Sequence, residues 1–180
     1  NRPSYSLPSS QSVGGREWNR YAYPFGIVVN VHGQRFVDEG EDIRALTYAK
    51  MGRSILAQPE YAAFQIFDAK VRRLGILGAY GHATGDTAQT LEALAAKLGV
   101  DASGLSRTVW AFNQAIGPGA ADPSPFHTDG MGTSGIVPPK SNFAMSIEEP
   151  PFEGYAVCCG ITFTFGGLMV DPRTAQVQHT

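Results

Sequence analysis

Gly26-Ile27-Val28-Val29-Asn30, then His32-Gly33-Gln34, then Arg35-Phe36-Val37-Asp38, is the stretch that governs how this chain folds. The β-branched run Ile27–Val29 favours an extended strand. Gly33 supplies the positive φ that a tight reversal needs. Arg35–Asp38 then reads as the returning strand of a hairpin. The aromatic segment Tyr21–Phe25 leads into it. Residues 1–20 are polar, with Pro3, Pro8 and the pair Gly14-Gly15, and read as an irregular leader. Residues 21–180 form the domain proper.

Downstream, Glu39-Gly40-Glu41-Asp42 is an acidic turn into a helix from Ile43 to Gln58. Asp42 suits its N-cap, Ile43, Leu46, Met51, Ile55 and Leu56 form its apolar stripe, and Pro59 ends it. Tyr61–Phe67 reads as a strand and Asp68–Leu74 as a helical turn. Residues 75–85, with four glycines, are a loop. A helix over Ala88–Leu98 stops at Gly99, and a second over Gly104–Ile116 is capped by Ser103. Gly117–Lys140 is a long connection of the kind that carries function or lacks order. The remainder reads as strands: Phe143–Ile147, Tyr155–Cys159, Ile161–Phe165, Leu168–Val170 and Gln176–Gln178. This order predicts an α+β fold with mixed small sheets and about three helices.

Composition excludes several functions. Lys+Arg 14 against Asp+Glu 16 gives a net charge of -2, without the basic balance of a phosphate-binding protein. Hydrophobic residues at 43% and charged residues at 17% are those of a globular chain, not a disordered one. No apolar run reaches the roughly 18 residues of a membrane helix, and a cytoplasmic location is expected. The adjacent Cys158 and Cys159 read as small buried apolar residues. The four histidines lack metal-ligand spacing, so no metal is expected. Gly130-Met131-Gly132-Thr133-Ser134-Gly135 matches a dinucleotide fingerprint in letters only, since Pro138-Pro139 follows where a phosphate-binding helix would start. The chain starts at Asn1 rather than Met, which suggests processing or excision from something longer.

Two groups of residues carry chemistry. The first is Arg35, Asp38, Glu39, Glu41, Asp42 and Arg44. It can be a set of hairpin and helix-cap salt bridges, or it can hold a guanidinium ready to clamp a substrate carboxylate. The second is Gly160–Gly167. Strand alternation puts Thr162 and Thr164 on one face and Phe163 and Phe165 on the other, and Gly166-Gly167 allows a flat ligand or another backbone close. It reads equally as a core strand ending in a bulge. Lys140 is a loop cation, solvated unless a carboxylate site lies beside it.

Tyr23–Asn30 with Gly33–Asp42, Tyr48-Ala49-Lys50, Gly52-Arg53, Phe67–Val71, Leu91–Asp101, Pro138–Asn142 and Gly160–Gly167 occur in an order that resembles the substrate-side domain of the succinate dehydrogenase/fumarate reductase flavoprotein family. The branch most resembled is the tricarballylate dehydrogenase-like proteins. The resemblance implies a capping domain that closes substrate against FAD held by an FAD domain of the same polypeptide. That FAD domain is not in these residues. It further implies transfer of two hydrogens across a carbon–carbon bond beside a carboxylate in a small di- or tricarboxylate, with an electron-transfer partner.

The resemblance also implies roles. Arg44, five residues after Glu39, matches the proton-relay arginine, with Glu39 and Glu41 balancing its charge. Lys140, Asn142, Arg53, Tyr48 and Thr162 are the expected substrate contacts. Thr164, Gly166 and Gly167 are the expected flavin contacts. Fumarate reductases carry a His where Thr162 stands, four residues before the Gly-Gly pair. A threonine donates one hydrogen bond and no positive charge, so a carboxylate other than fumarate is expected. Two alternatives remain: a polycarboxylate-binding module without catalysis of its own, and the cap of a 3-ketosteroid dehydrogenase.

Overall fold

The computed structural model describes residues 20–77, 85–124, 126–160 and 167–178. Its frame is a four-stranded antiparallel sheet of β1 (Ile27–Val29), β2 (Ala62–Phe67), β4 (Phe152–Cys158) and β3 (Asp86–Ala88), in that spatial order. Among the described residues four α-helices accompany it: α1 (Arg44–Leu56), α2 (Ala69–Arg73), α3 (Leu91–Leu98) and α4 (Ala102–Ala115). The α+β expectation holds.

The two faces of the sheet bury different partners. In register, Ile27 lies opposite Ile66 and Val29 opposite Phe64. These four point to one face and pack with Leu94 and Leu98 of α3 and Leu105, Val109 and Phe112 of α4. Val28, Ala63 and Val157 point the other way, onto Tyr23 and onto Met51 and Ile55 of α1. All six residues of β2 are therefore buried. An apolar run, rather than alternation, is what a strand covered on both faces requires.

Close approaches fix the layers. Gly33 has φ +67°, and a Cβ there would lie 2.2 Å from the Leu105 nitrogen. A Cβ on Gly104 would lie 2.0 Å from the His32 carbonyl oxygen. The turn after β1 and the first turn of α4 thus interlock through two glycines.

Several local expectations are corrected. Arg35–Asp38 is no strand: one bridge, Val29 to Arg35, closes the turn, and the chain then leaves the sheet. Phe143–Ile147 is irregular, because side chains take its backbone donors. Asp129 accepts from Phe143 N–H at 2.9 Å, and Asn113 accepts from Ile147 N–H at 2.9 Å. The segments 168–170 and 176–178 meet only in a Val170–Val177 bridge. Strand β3 stands where a helix start was expected at Ala88, and Thr90 caps α3 by accepting from Ala93 N–H.

The caps and stripes shift too. Asp101, not Ser103, caps α4, accepting from Ser103 and Gly104 N–H. The N-cap of α1 is Ile43, with Asp42 accepting from Ile43 N–H one position early. Thr47, Met51 and Ile55 are the buried positions of α1, while Leu46 and Leu56 are exposed. Cys158 is exposed and Cys159 half-buried, against the expectation that both are interior. Ile161–Phe165 falls outside the described residues.

Candidate functional site

Glu39 is wholly buried. Its carboxylate takes a forked pair of bonds from Arg35, at 3.0 Å from Nε and 2.6 Å from Nη2. It also accepts from Val28 N–H at 2.8 Å. Arg35 uses its remaining donors on the carbonyls of Pro138 (2.9 Å) and Pro139 (3.2 Å). Lys140 is 1% exposed and its ammonium donates to the Gly26 carbonyl. The Phe112 ring lies beneath both cations, 5.2 Å from the Arg35 guanidinium carbon and 5.8 Å from Lys140 Nζ. Burial pushes the Lys140 ammonium down to about 8, with Glu39 opposing that shift and Arg35 adding to it.

A second clasp lies alongside. Asp38 accepts from Gly40 N–H and Ser141 N–H and from the Ser141 hydroxyl. Asn142 donates to the Gly40 carbonyl at 2.7 Å and accepts from Gly130 N–H at 2.7 Å. Together these bonds fasten the segment 130–143 onto the segment 35–42. Lys140 and Asn142 are thus interior fastenings, and Lys140 is not the solvated loop cation that the sequence alone suggests. Of the two readings of the charged cluster, the salt-bridge reading holds for Arg35 and Glu39.

Arg44 is placed differently. It is the first residue of α1 and is exposed. Its guanidinium lies over the Tyr21 ring, 5.0 Å from the centroid. Tyr48, one turn along α1, meets Tyr21 edge-on at 6.0 Å. Tyr23 donates to the Arg44 carbonyl at 3.4 Å and shares a 2.7 Å hydrogen bond with the Thr47 hydroxyl. Burial pushes the Tyr23 hydroxyl up to about 12, with the Thr47 bond and Arg44 opposing the shift. No described carboxylate pairs with Arg44. A shallow open cleft, with room for about one water, lies beside it, lined by Pro24, Phe25, Ile43, Arg44, Ser124 and Phe143.

The other expected residues are dispersed. Glu41 forms an exposed ion pair with Lys50 rather than facing Arg44. Arg53 lies in the last turn of α1. Nine residues at 100° each carry it to the side of the helix opposite Arg44, roughly 13 Å further along the axis. Arg44 and Tyr48 therefore come together, and Arg53 does not join them. Thr162, Thr164 and Gly166 lie outside the described residues, and Gly167 is exposed with φ +140°. Tyr21 and Thr47 were not singled out from sequence. Their signal was the aromatic run before β1 and the i, i+3, i+4 spacing of Arg44, Thr47 and Tyr48.

The described residues do not fit a flavin dinucleotide. Gly130–Gly135 lies in a loop, without a strand before it or a helix after it. Gly132 is explained by packing, since a Cβ there would lie 2.7 Å from the Lys140 carbonyl oxygen. Among the described residues no three of His, Cys, Asp or Glu gather as a metal site. No described helix is long and apolar enough to cross a membrane.

No family model matches the chain. It is 30% identical over 155 residues to the fumarate reductase (cytochrome) of Shewanella frigidimarina, which is 85% of this chain and 24% of that protein. It is 29% identical over 150 residues to the NADH:fumarate oxidoreductase of Klebsiella pneumoniae, 81% of this chain and 14% of that one. The chain thus spans about a quarter or less of the curated relatives it matches. Among solved structures, the open conformation of a flavocytochrome c3 fumarate reductase aligns with TM-score 0.61 at 24% identity, over 83% of this chain and 24% of that one. A 3-ketosteroid delta1-dehydrogenase from Sterolibacterium denitrificans aligns with TM-score 0.55 at 28% identity, over 84% of this chain and 30% of that one. The solution structure of a fumarate reductase flavoprotein subunit from Lactobacillus plantarum aligns with TM-score 0.51 at 18% identity, covering 88% of this chain and 98% of that one. The fold is of the fumarate reductase flavoprotein type, and the chain is similar in sequence to fumarate reductases over most of its length.

Proposed function

We propose that this chain is the substrate-side capping domain of an FAD-dependent oxidoreductase that transfers two hydrogens across a carbon–carbon bond beside a carboxylate. The observation that carries the reading is Arg44, an exposed guanidinium without a described carboxylate partner, at a position matching the family's proton-relay arginine. Its place is electrostatically costly. A cation at the positive end of a helix is disfavoured by about 0.3–1 kcal/mol at an exposed site. An anionic substrate removes that cost, because helix end and guanidinium then attract the same charge.

FAD, held by a separate domain, supplies the hydride chemistry. The chain's own part is to bind the carboxylate and to hold or move a proton at the Arg44 guanidinium. That group ordinarily stays protonated, so it moves a proton only when fixed against the reacting carbon. Glu39 serves by pinning Arg35 and the segment that leads to α1, and Lys140 and Asn142 by fastening the facing loop. The substrate we favour is a small di- or tricarboxylate such as tricarballylate. The test is steady-state turnover of tricarballylate and fumarate by the flavoprotein carrying this chain. Arg44→Ala should lower kcat at least about a hundredfold. Wild-type turnover in that variant would remove Arg44 from the reaction.

A 3-ketosteroid is the second reading. The likeness to the 3-ketosteroid delta1-dehydrogenase of Sterolibacterium denitrificans favours it. Arg44, without a carboxylate partner among the described residues, favours the carboxylate. A third reading, a polycarboxylate-binding module without chemistry, predicts micromolar binding of tricarballylate by the isolated chain in calorimetry. The capping reading expects weak binding or none.

A further inference from the structure

We infer that Tyr21, braced by Tyr48, is a positioning residue that seats the Arg44 guanidinium while leaving its hydrogen-bonding edge free. The inference rests on the functional reading above and names what makes Arg44 usable. An exposed arginine side chain has four rotatable bonds and loses rotamer entropy when fixed. Something must hold it if it is to meet a substrate in one geometry. A carboxylate partner would do so, but it would occupy the fork that must clamp the substrate. An aromatic face holds the guanidinium without using its donors, since the attraction acts on the flat face and the N–H groups point outward in the plane.

The geometry matches that requirement. The Arg44 guanidinium carbon lies 5.0 Å from the Tyr21 centroid, inside the range of a cation–π contact. No described residue accepts a hydrogen bond from the guanidinium. Tyr21 is itself fixed from the same helix. Tyr48 meets its ring at 67° between planes, four residues after Arg44. One turn of α1 therefore presents both the cation and the brace for its seat. Thr47, between them, binds the Tyr23 hydroxyl, which ties the same turn to the segment that carries Tyr21. The backbone and the ring are thus anchored together, and among the described residues the Tyr21 ring is the shelf on which the side chain rests.

Two measurements separate the seat from the chemistry. In the NMR spectrum of the 180-residue chain, the Arg44 δ-methylene and Nε–H signals should be shifted upfield by the ring. The shift should persist in Tyr21→Phe and collapse in Tyr21→Leu, and Tyr48→Leu should reduce it without unfolding the domain. In the flavoprotein, Tyr21→Leu should lower kcat about tenfold to a hundredfold, with Tyr21→Phe restoring most of it, because a misplaced catalytic group loses rate out of proportion to binding. Absent ring shifts, or wild-type kcat in Tyr21→Leu, overturn the seat. Intact shifts with wild-type turnover in Arg44→Ala overturn the functional reading instead, and with it the catalytic purpose of the seat.

Discussion

Lys140 donates from its buried ammonium to the Gly26 carbonyl, 114 residues earlier in the chain, and so ties the long loop to the start of β1. The bond holds that amine where burial opposes its charge. The Lys140 ammonium is lowered to about 8 from an ordinary 10.5. The unfolded chain therefore binds a proton that the folded chain does not between about pH 8 and 10.5. Stability rises with pH wherever the unfolded state binds more protons. The contribution of Lys140 should be greatest above pH 10.5 and should fall as pH drops to 8. Urea unfolding of wild type and Lys140→Met at pH 7, 8 and 9.5 checks this. The wild type should gain on the variant across the upper interval, and a constant difference would contradict it.

Removing Glu39 should be far more damaging than removing Glu41. Glu39→Gln leaves Arg35, whose side chain is 4% exposed, and the nearby Lys140 without the carboxylate between them. Breaking a buried pair by deleting one partner costs about 3–5 kcal/mol. Glu41 meets Lys50 in solvent, and Glu41→Gln should change stability by less than about 0.5 kcal/mol. Chemical denaturation of both variants makes the comparison, and similar midpoints would refute the burial argument.

Gly40→Ala should loosen the clasp between the two loops. A Cβ at that position would lie 2.1 Å from the Asn142 carbonyl oxygen, which is backbone and cannot swing aside. Forced overpacking of this kind costs about 1–3 kcal/mol. Hydrogen exchange should accelerate at Gly130 N–H, which Asn142 accepts from, before it does in β2. Uniform acceleration across the sheet would show that the clasp is not a separate unit.

The readable parts of the fold were those with local causes. The β-branched run 27–29, the leucine spacing of α3 and the Gly99 stop, at φ +73°, are decided within a few residues. What was misread depends on distant partners. Phe143–Ile147 looks like a strand until Asp129 and Asn113 take its donors. Glu39 reads as a charge partner for Arg44 until the fold gives its carboxylate to Arg35 and the Val28 N–H. Lys140 looks solvated until α4 brings Phe112 beneath it. Arg44 was readable as a candidate because the resemblance that proposes it runs along one segment, five residues after Glu39. Tyr21 was not, because its contact with Arg44 joins positions 23 apart in sequence that only the fold aligns.

The start of α4 offers a test between two neighbouring caps. Sequence favours Ser103, yet Asp101 accepts from both Ser103 N–H and Gly104 N–H at 3.1 Å, two of the donors that a helix start leaves unpaired. Its backbone N–H also donates to the Val31 carbonyl at 2.9 Å, so the cap is joined to the turn after β1. Asp101→Ala should cost about 1 kcal/mol, within the usual range for a lost cap. Ser103→Ala lies inside the helix, where alanine is the better former, and should be neutral or slightly stabilising. Gly104→Ala, by contrast, drives a Cβ to 2.0 Å from the His32 carbonyl oxygen and should cost more than either. Thermal unfolding of the three variants should rank Ser103→Ala above Asp101→Ala and Asp101→Ala above Gly104→Ala. A Ser103→Ala variant less stable than Asp101→Ala would return the cap to the serine.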